Sequence, residues 1–229
     1  TALHGAPSSV MAAVKDMLVE LRKSAAAASV NARIKSALDN VSANVMITDN
    51  ERNIIYTNKT VISMMQTAES DIRKALPQFD SSKLMGATID QFHKNPEHQK
   101  GMLERLNNTY SSQILVGGRT FKLTVNPVYS DSGERLGTVV EWLDRTVEVG
   151  VENEVGQLVN AASVGDFSQR ISPTNKDGFF LNLATGLNQL VDTADKGLKD
   201  VARVLGALAE GDLTQRIDAD YQGTFGQLK

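Results

Sequence analysis

Apolar residues between Pro7 and Val41 fall at Val10, Val14, Met17, Leu21, Ala28, Ile34, Leu38 and Val41, at steps that are sums of three and four. This predicts a helix through residues 7–41, opened by Ser8 or Ser9 as N-cap. Its single narrow seam suits a partner helix better than a broad core. From residue 42 the period changes. NVMITD and NIIYTN flank the turn at DNER and read as a hairpin. Helical stretches follow through about residue 107: TVISMMQ, ESDIRKAL and IDQFHKNPEHQKGMLERL, with Pro96 in a first-turn position. YSSQILV, RTFKLTVNPVYS and RLGTVVEWLD then read as three strands joined by the Gly117-Gly118 and DSGE turns. Residues 42–146 therefore predict an α+β domain, an antiparallel five-stranded sheet with helices on one face.

After Thr146 the pattern repeats itself. GDFSQRI at 165–171 returns as GDLTQRI at 211–217, a period of 46 residues. Between the two copies Phe180, Leu183, Leu187, Leu190, Ala194, Leu198, Val201, Leu205 and Leu208 run at helical steps. The two successive steps of four, Leu190 to Ala194 to Leu198, form a stutter that changes the supercoil locally. Each unit reads as a helix, a connector opening on Gly-Asp, and a second helix. The glycine supplies a left-handed helix end and the aspartate the next turn. Residues 147–198 and 199–229 are the two units, the second expected to be cut short at Lys229.

Composition narrows the function classes. The chain of 229 residues has a net charge of −3, which argues against a dedicated nucleic-acid surface. It has no cysteine, which excludes disulfides, thiolate nucleophiles and Cys-based metal sites. No apolar run approaches the roughly 20 residues of a membrane helix. The opening TALHGAP shows no signal-peptide pattern and suggests an excised segment, so a soluble cytoplasmic location is expected. There is no GxxxxGK(S/T), HExxH or GxSxG motif, and no helix follows Gly117-Gly118 to make a phosphate loop. The chain is not expected to be an enzyme.

The helix–GD(F/L)(S/T)QRI–helix repeat resembles concatenated HAMP units, whose parallel dimers form four-helix coiled-coil bundles. Residues 42–146 resemble a PAS domain, in ALDNVSANVMITDNERNIIYTN at the start and GERLGTVVEWLDRT at the end. Asp144-Arg145-Thr146 fits the Asp-x-Thr signature that joins PAS domains to an output helix, which gives Asp144 and Thr146 a role in signal transmission. Physically, both could cap that helix and pin it to the sheet. The PAS–HAMP order looks like bacterial cytoplasmic chemoreceptors, with residues 1–41 as an incoming signalling helix.

Within that group the chain is most similar to soluble haem-PAS receptors of the aerotaxis type. Those carry a proximal histidine on a short helix, with a leucine and a tryptophan in the distal pocket. His93 occupies the matching FHKNP motif, Leu123 follows 30 residues later and Trp142 49 residues later. His98 falls where the family has a second histidine. The resemblance implies haem b held through iron by His93, oxygen or another diatomic gas met by Trp142 and Leu123, and a homodimer joined by parallel helices. A chemotaxis kinase and adaptor would be the downstream partners.

The residues support this chemistry. Strand alternation puts Phe121, Leu123 and Val125 on one face of their strand and Val140 with Trp142 on one face of theirs, and these five are the expected inward set. An apolar pocket with one imidazole and one indole N–H suits a haem with a bound gas. The bland reading makes Trp142 and Leu123 core filler, His93 an ordinary half-buried side chain, His98 solvent-facing, and Asp144 and Thr146 simple caps. Two other functions remain open at this level: a redox sensor holding FAD in the same pocket, and a cofactor-free structural relay.

Overall fold

The computed structural model describes residues 6–93 and 96–229, with side chains from Val10 onward. Lys94 and Asn95 of the FHKNP motif lie outside the described residues. The chain divides into two compact units, residues 1–144 and 145–229.

The first unit opens with α1 (Ala6–Leu38). Ser8 and Ser9 already lie inside this helix, so neither is its N-cap; the cap falls outside the described residues. Val10, Val14, Met17, Leu21 and Ile34 of the predicted seam are all exposed. The helix ends at Leu38 rather than Val41 because tertiary partners claim its end. The Leu38 carbonyl accepts from Asn58 Nδ2 at 3.0 Å, and the Asp39 carboxylate accepts from the Tyr56 hydroxyl at 2.7 Å. The Tyr56 phenol is pushed up to about 12, first by burial and then by donating to Asp39.

The sheet has the order β2-β1-β5-β4-β3, with β1 Asn44–Thr48, β2 Ile54–Thr57, β3 Tyr110–Val116, β4 Arg119–Tyr129 and β5 Arg135–Asp144. Every neighbouring pair is antiparallel. Ile47 pairs with Tyr56 and Thr48 with Ile54, so Ile55 is the unpaired residue of a bulge. The predicted stretches TVISMMQ and ESDIRKAL form a single helix, α2 (Lys59–Ala75). Its Val61, Met65, Ala68 and Ile72 make one stripe that packs on Met46, Ile54 and Phe121 of the sheet. Phe79 and Leu84 complete this core. Beyond it come a short 3-10 helix, Ile89–Phe92, and α3 (Pro96–Glu104), with Pro96 at the first helical position. Predicted helicity near residue 107 therefore stops at Glu104.

The second unit consists of α4 (Thr146–Ser163), α5 (Gly178–Ala209) and α6 (Gly223–Leu228). α5 runs unbroken through residues 198 and 199, so the second helix of one repeat is the first helix of the next. Both Gly-Asp pairs do what their residue types predict. Gly165 has φ +84° and Gly211 φ +86°. Asp166 N–H donates to Ala161 O and Gly165 N–H to Ala162 O, each at 3.0 Å. Asp212 to Ala207 and Gly211 to Leu208 repeat this pair of bonds 46 residues later, at 2.9 and 3.1 Å. Each aspartate then caps the next turn, Asp166 accepting from Ser168 N and Asp212 from Thr214 N at 2.9 Å.

The connector after α4 folds back along both helices. Lys176 pairs with Glu154 on α4, while Ile171 packs with Leu158, Ala184 and Val191. Arg170 reaches Asp192, further along α5. Moving backward through the connector thus means moving forward on both helices, so α4 and α5 are parallel. Asn188 locks the centre, accepting from Ile171 N at 2.9 Å and donating to Ile171 O at 2.8 Å. The predicted α5 seam divides. The residues that α5 buries within the chain, Ala184, Val191 and Gly197, lie outside the predicted seam; of the seam, Leu187 packs beside them, while Leu190, Leu198, Leu205 and Leu208 stay exposed.

Candidate functional site

The candidate site lies on the inner face of the sheet. Directly paired residues of antiparallel strands point to the same side. One rung runs Asn44–Trp142–Leu123–Ser112, and the next runs Met46–Val140–Val125–Tyr110. Leu123 and Trp142 are thus cross-strand partners, and both pack against the core formed by α2 and the sheet. Val125 is buried, and Val140 is half-buried beside it. The Phe121 ring meets the Trp142 indole edge-on at 5.8 Å between centroids.

Among the described residues of this unit, two buried side-chain polar atoms have no hydrogen-bond partner: Trp142 Nε1 and Thr57 Oγ1. Such groups cost on the order of 1–3 kcal/mol when left unmet. Thr57 is 7% exposed and pairs with Met46, which places it on the inner face. A β-branched residue ending a strand carries no mark in the sequence to single it out, and Thr57 was missed for that reason.

His93 is the residue that ends the short helix Ile89–Phe92, with extended backbone angles, and is half-buried. Its Nδ1 lies 2.8 Å from the Ile89 carbonyl. A carbonyl only accepts, so that contact places the proton on Nδ1 and leaves the Nε2 lone pair available. Ile89 and Phe92, on either side of this turn, pack against the same core as Leu123 and Trp142. Arg52, in the β1–β2 turn with φ +69°, forks onto Asp90 through two contacts of 2.8 Å. That guanidinium, more than the nearby His93, holds the Asp90 carboxyl below its ordinary range. His98 sits exposed in the first turn of α3.

The Asp-x-Thr segment differs from expectation in one respect. Arg145 occupies the N-cap position of α4, without a side-chain cap bond, and Thr146 is the first helical residue. Neither Asp144 nor Thr146 is therefore the N-cap. Asp144 is anchored in the sheet instead: Arg119 Nη1 reaches it at 2.7 Å, and Arg119 Nε reaches Asp71 of α2 at 2.7 Å. Burial works against the Arg119 charge, and the two carboxylates more than offset it.

No group of three or more His, Cys, Asp or Glu side chains that could hold a metal ion occurs among the described residues. A single imidazole with one nitrogen tied to a carbonyl suits a metal already held by a macrocycle. An unmet indole N–H beside apolar side chains suits a small polar ligand on that metal. The side chains present fit a haem with a gas ligand. In the second unit a cavity of about 470 Å³ is lined by Gly186, Gln189, Leu190, Thr193, Ala194 and Phe225. It has no charged lining and adjoins the exposed leucine row. No described helix is long and apolar enough to cross a membrane.

Known proteins give the geometry a context. A PAS domain model matches residues 32–97 and a HAMP domain model matches residues 175–229. The methyl-accepting chemotaxis protein McpB of Pseudomonas aeruginosa is 63% identical over 204 residues, 89% of this chain. The chain spans 30% of that relative's length. Among solved structures, the Aer2 receptor of Vibrio cholerae, described as a dual PAS-heme oxygen sensor, is 34% identical. The match covers 44% of this chain and 93% of that one, with a TM-score of 0.41. A PAS domain of an HTR-like protein from Haloarcula marismortui matches at 14% identity, over 54% of this chain and 98% of its own, with a TM-score of 0.39.

Proposed function

The chain is a PAS–HAMP module of the methyl-accepting chemoreceptor type, and from that premise we propose that residues 42–146 hold haem b and sense oxygen or another diatomic gas in the cytoplasm. The observation that carries this reading is the buried Trp142 N–H, which has no acceptor among the described residues and stands on the same rung as Leu123. Haem is also what the Vibrio cholerae receptor is described as binding; the reading for this chain rests on its own residues.

His93 Nε2 would hold the iron. Leu123, Val125 and Val140 would form apolar wall, and His98 would lie at the rim. When bound, the haem supplies iron able to coordinate a diatomic ligand reversibly. The Trp142 indole N–H would be the group placed to donate to a partly negative ligand, and it cannot accept from one. A charge-assisted bond of this kind contributes about 1.5–3 kcal/mol, roughly tenfold to a hundredfold in affinity. Leu123, beside the indole, keeps water from competing for the same N–H.

Trp142 lies two residues before the end of β5, at Asp144. A shift of the indole toward a ligand displaces that strand end, and the chain then continues into α4. The HAMP helices supply an element with two packings close in energy, so a few kcal/mol of differential stabilisation suffices to switch it. A second copy of the chain covers the exposed row Leu190, Leu198, Leu205 and Leu208 and makes the four-helix bundle. A chemotaxis kinase and its adaptor receive the output.

An absorption spectrum of the purified chain, reduced and then opened to air, tests the reading. A Soret band that shifts with air and is lost in His93→Ala is expected. Retention of the band in His93→Ala would move the ligand elsewhere. A flavin spectrum would make the domain a redox sensor, and a preparation that stays colourless with added haemin would leave a cofactor-free relay. Trp142→Leu should keep the haem and speed gas dissociation by roughly tenfold to a hundredfold, the loss of one charge-assisted bond. An unchanged off-rate would remove the indole from ligand recognition.

A further inference from the structure

We infer that Arg52 and Asp90 form a clamp that positions the His93 imidazole and fixes which of its nitrogens faces the pocket. This rests on the reading of His93 as the iron ligand and assigns it a support that its own helix does not provide.

The two residues that Arg52 grips are the two that His93 leans on. The Arg52 carbonyl accepts from Ile89 N at 3.0 Å, and its guanidinium forks onto the Asp90 carboxylate. His93 Nδ1 in turn donates to Ile89 O, and His93 N donates to Asp90 O at 3.2 Å. The chain around them is a single-turn 3-10 helix of four residues, Ile89–Phe92, too short to be rigid by itself. It is instead stitched to the β1–β2 hairpin. Ile54 N donates to Ala87 O at 2.9 Å, Gly86 N to Ile54 O at 2.8 Å, and Asn53 bridges Thr88.

The Arg52 backbone is in the left-handed region, which a non-glycine residue adopts at some cost. That conformation directs its carbonyl and its guanidinium to adjacent residues of one turn. A planar fork resists rotation in a way that a point charge does not, so lysine is not an equivalent. The pair is shielded enough to keep its geometry, with side-chain exposures of 18% and 25%.

The test uses the full chain with Arg52→Gln, Arg52→Lys, Asp90→Asn and the double variant Arg52→Gln/Asp90→Asn. In haem-free protein near pH 8, where an ordinary imidazole is neutral, nitrogen NMR of His93 should show one Nδ1–H tautomer. Each variant should show a mixture. In haemin-loaded protein each single variant should lose haem roughly tenfold to a hundredfold faster, the usual scale for a partner that orients a metal ligand. The double variant should be no worse than either single one.

Asp80→Ala provides the control, because it uncaps the neighbouring short helix Ser81–Lys83 without touching this clamp. Equal haem loss in that control at a matched fall in Tm would reduce the pair to general stability and overturn the inference. An unchanged His93 tautomer in Arg52→Gln would also overturn it. The haem reading fails separately, through a Soret band that survives His93→Ala, and the tautomer measurement keeps its meaning in that case.

Discussion

Asn58→Ala is expected to destabilise the PAS unit by roughly 3–5 kcal/mol, near the upper end for a single substitution. Asn58 is fully buried and uses its whole side-chain amide. Its Oδ1 accepts from Val45 N and Val61 N at 3.0 and 3.1 Å. Its Nδ2 donates to Leu38 O and Ala43 O at 3.0 and 2.7 Å. One side chain therefore caps α2, secures the first strand and ties down the end of α1. Loss of an N-cap alone costs typically about 1 kcal/mol. The remaining loss comes from amides and carbonyls left unmet in the interior, each on the order of 1–3 kcal/mol.

Asn58→Asp distinguishes the two contributions. As a cap, aspartate is about as good as asparagine. Here it would present a carboxylate oxygen to two carbonyls that now receive N–H donors. Urea unfolding should therefore rank the variants wild type, then Asp and Ala together far below. An aspartate variant as stable as wild type would show that only the cap matters.

Residues such as Asn58 explain what the sequence could and could not convey. β3, β4 and β5 coincide with the predicted strands to within a residue, because each is a run rich in β-branched and aromatic residues bounded by Gly117-Gly118 or DSGE. The helix ends at Gly165 and Gly211 were equally legible, since left-handed glycine followed by aspartate is a local device that carries its own meaning. Leu123 and Trp142 were placed together by alternation plus one hairpin, and the ladder pairs them directly.

Long-range pairing was not legible. Asn58 reads locally as a surface helix cap and becomes a buried hub only when α1, β1 and α2 converge on it. Arg52 and Asp90 stand 38 residues apart, in two segments that each look like ordinary polar turn. The seam of α5 looked single because period alone cannot say which leucines meet α4 and which are left outward. Asp144 and Thr146 looked like caps because short polar side chains before a helix usually are. The bidentate pull of Arg119 on Asp144 and Asp71 is invisible until β4, β5 and α2 are assembled.

That same assembly makes Gly117→Ala the second large effect, with an expected loss of roughly 2–4 kcal/mol from overpacking and backbone strain combined. Gly117 has φ +60°, and a Cβ placed there would collide with the carbonyl group of Asp71. The contact is with helix backbone, so no side-chain rotation relieves it; the β3–β4 turn must lift away from α2. Gly118→Ala is the matched comparison. It has φ +92° with nothing within 4 Å of the added methyl, so it bears the conformational cost alone. Lifting the turn also draws Arg119 away from Asp71, leaving Asp144 with a guanidinium that is no longer fixed at its other end. Amide exchange at the end of β5 should therefore speed up in Gly117→Ala and stay near wild type in Gly118→Ala, once each is compared at equal global stability. If the two alanine variants are equally stable, the turn does not press on α2 and Arg119 is not a joint between that helix and the output strand. If they differ in stability but not in exchange, the contact is structural and the strand end is held by other means.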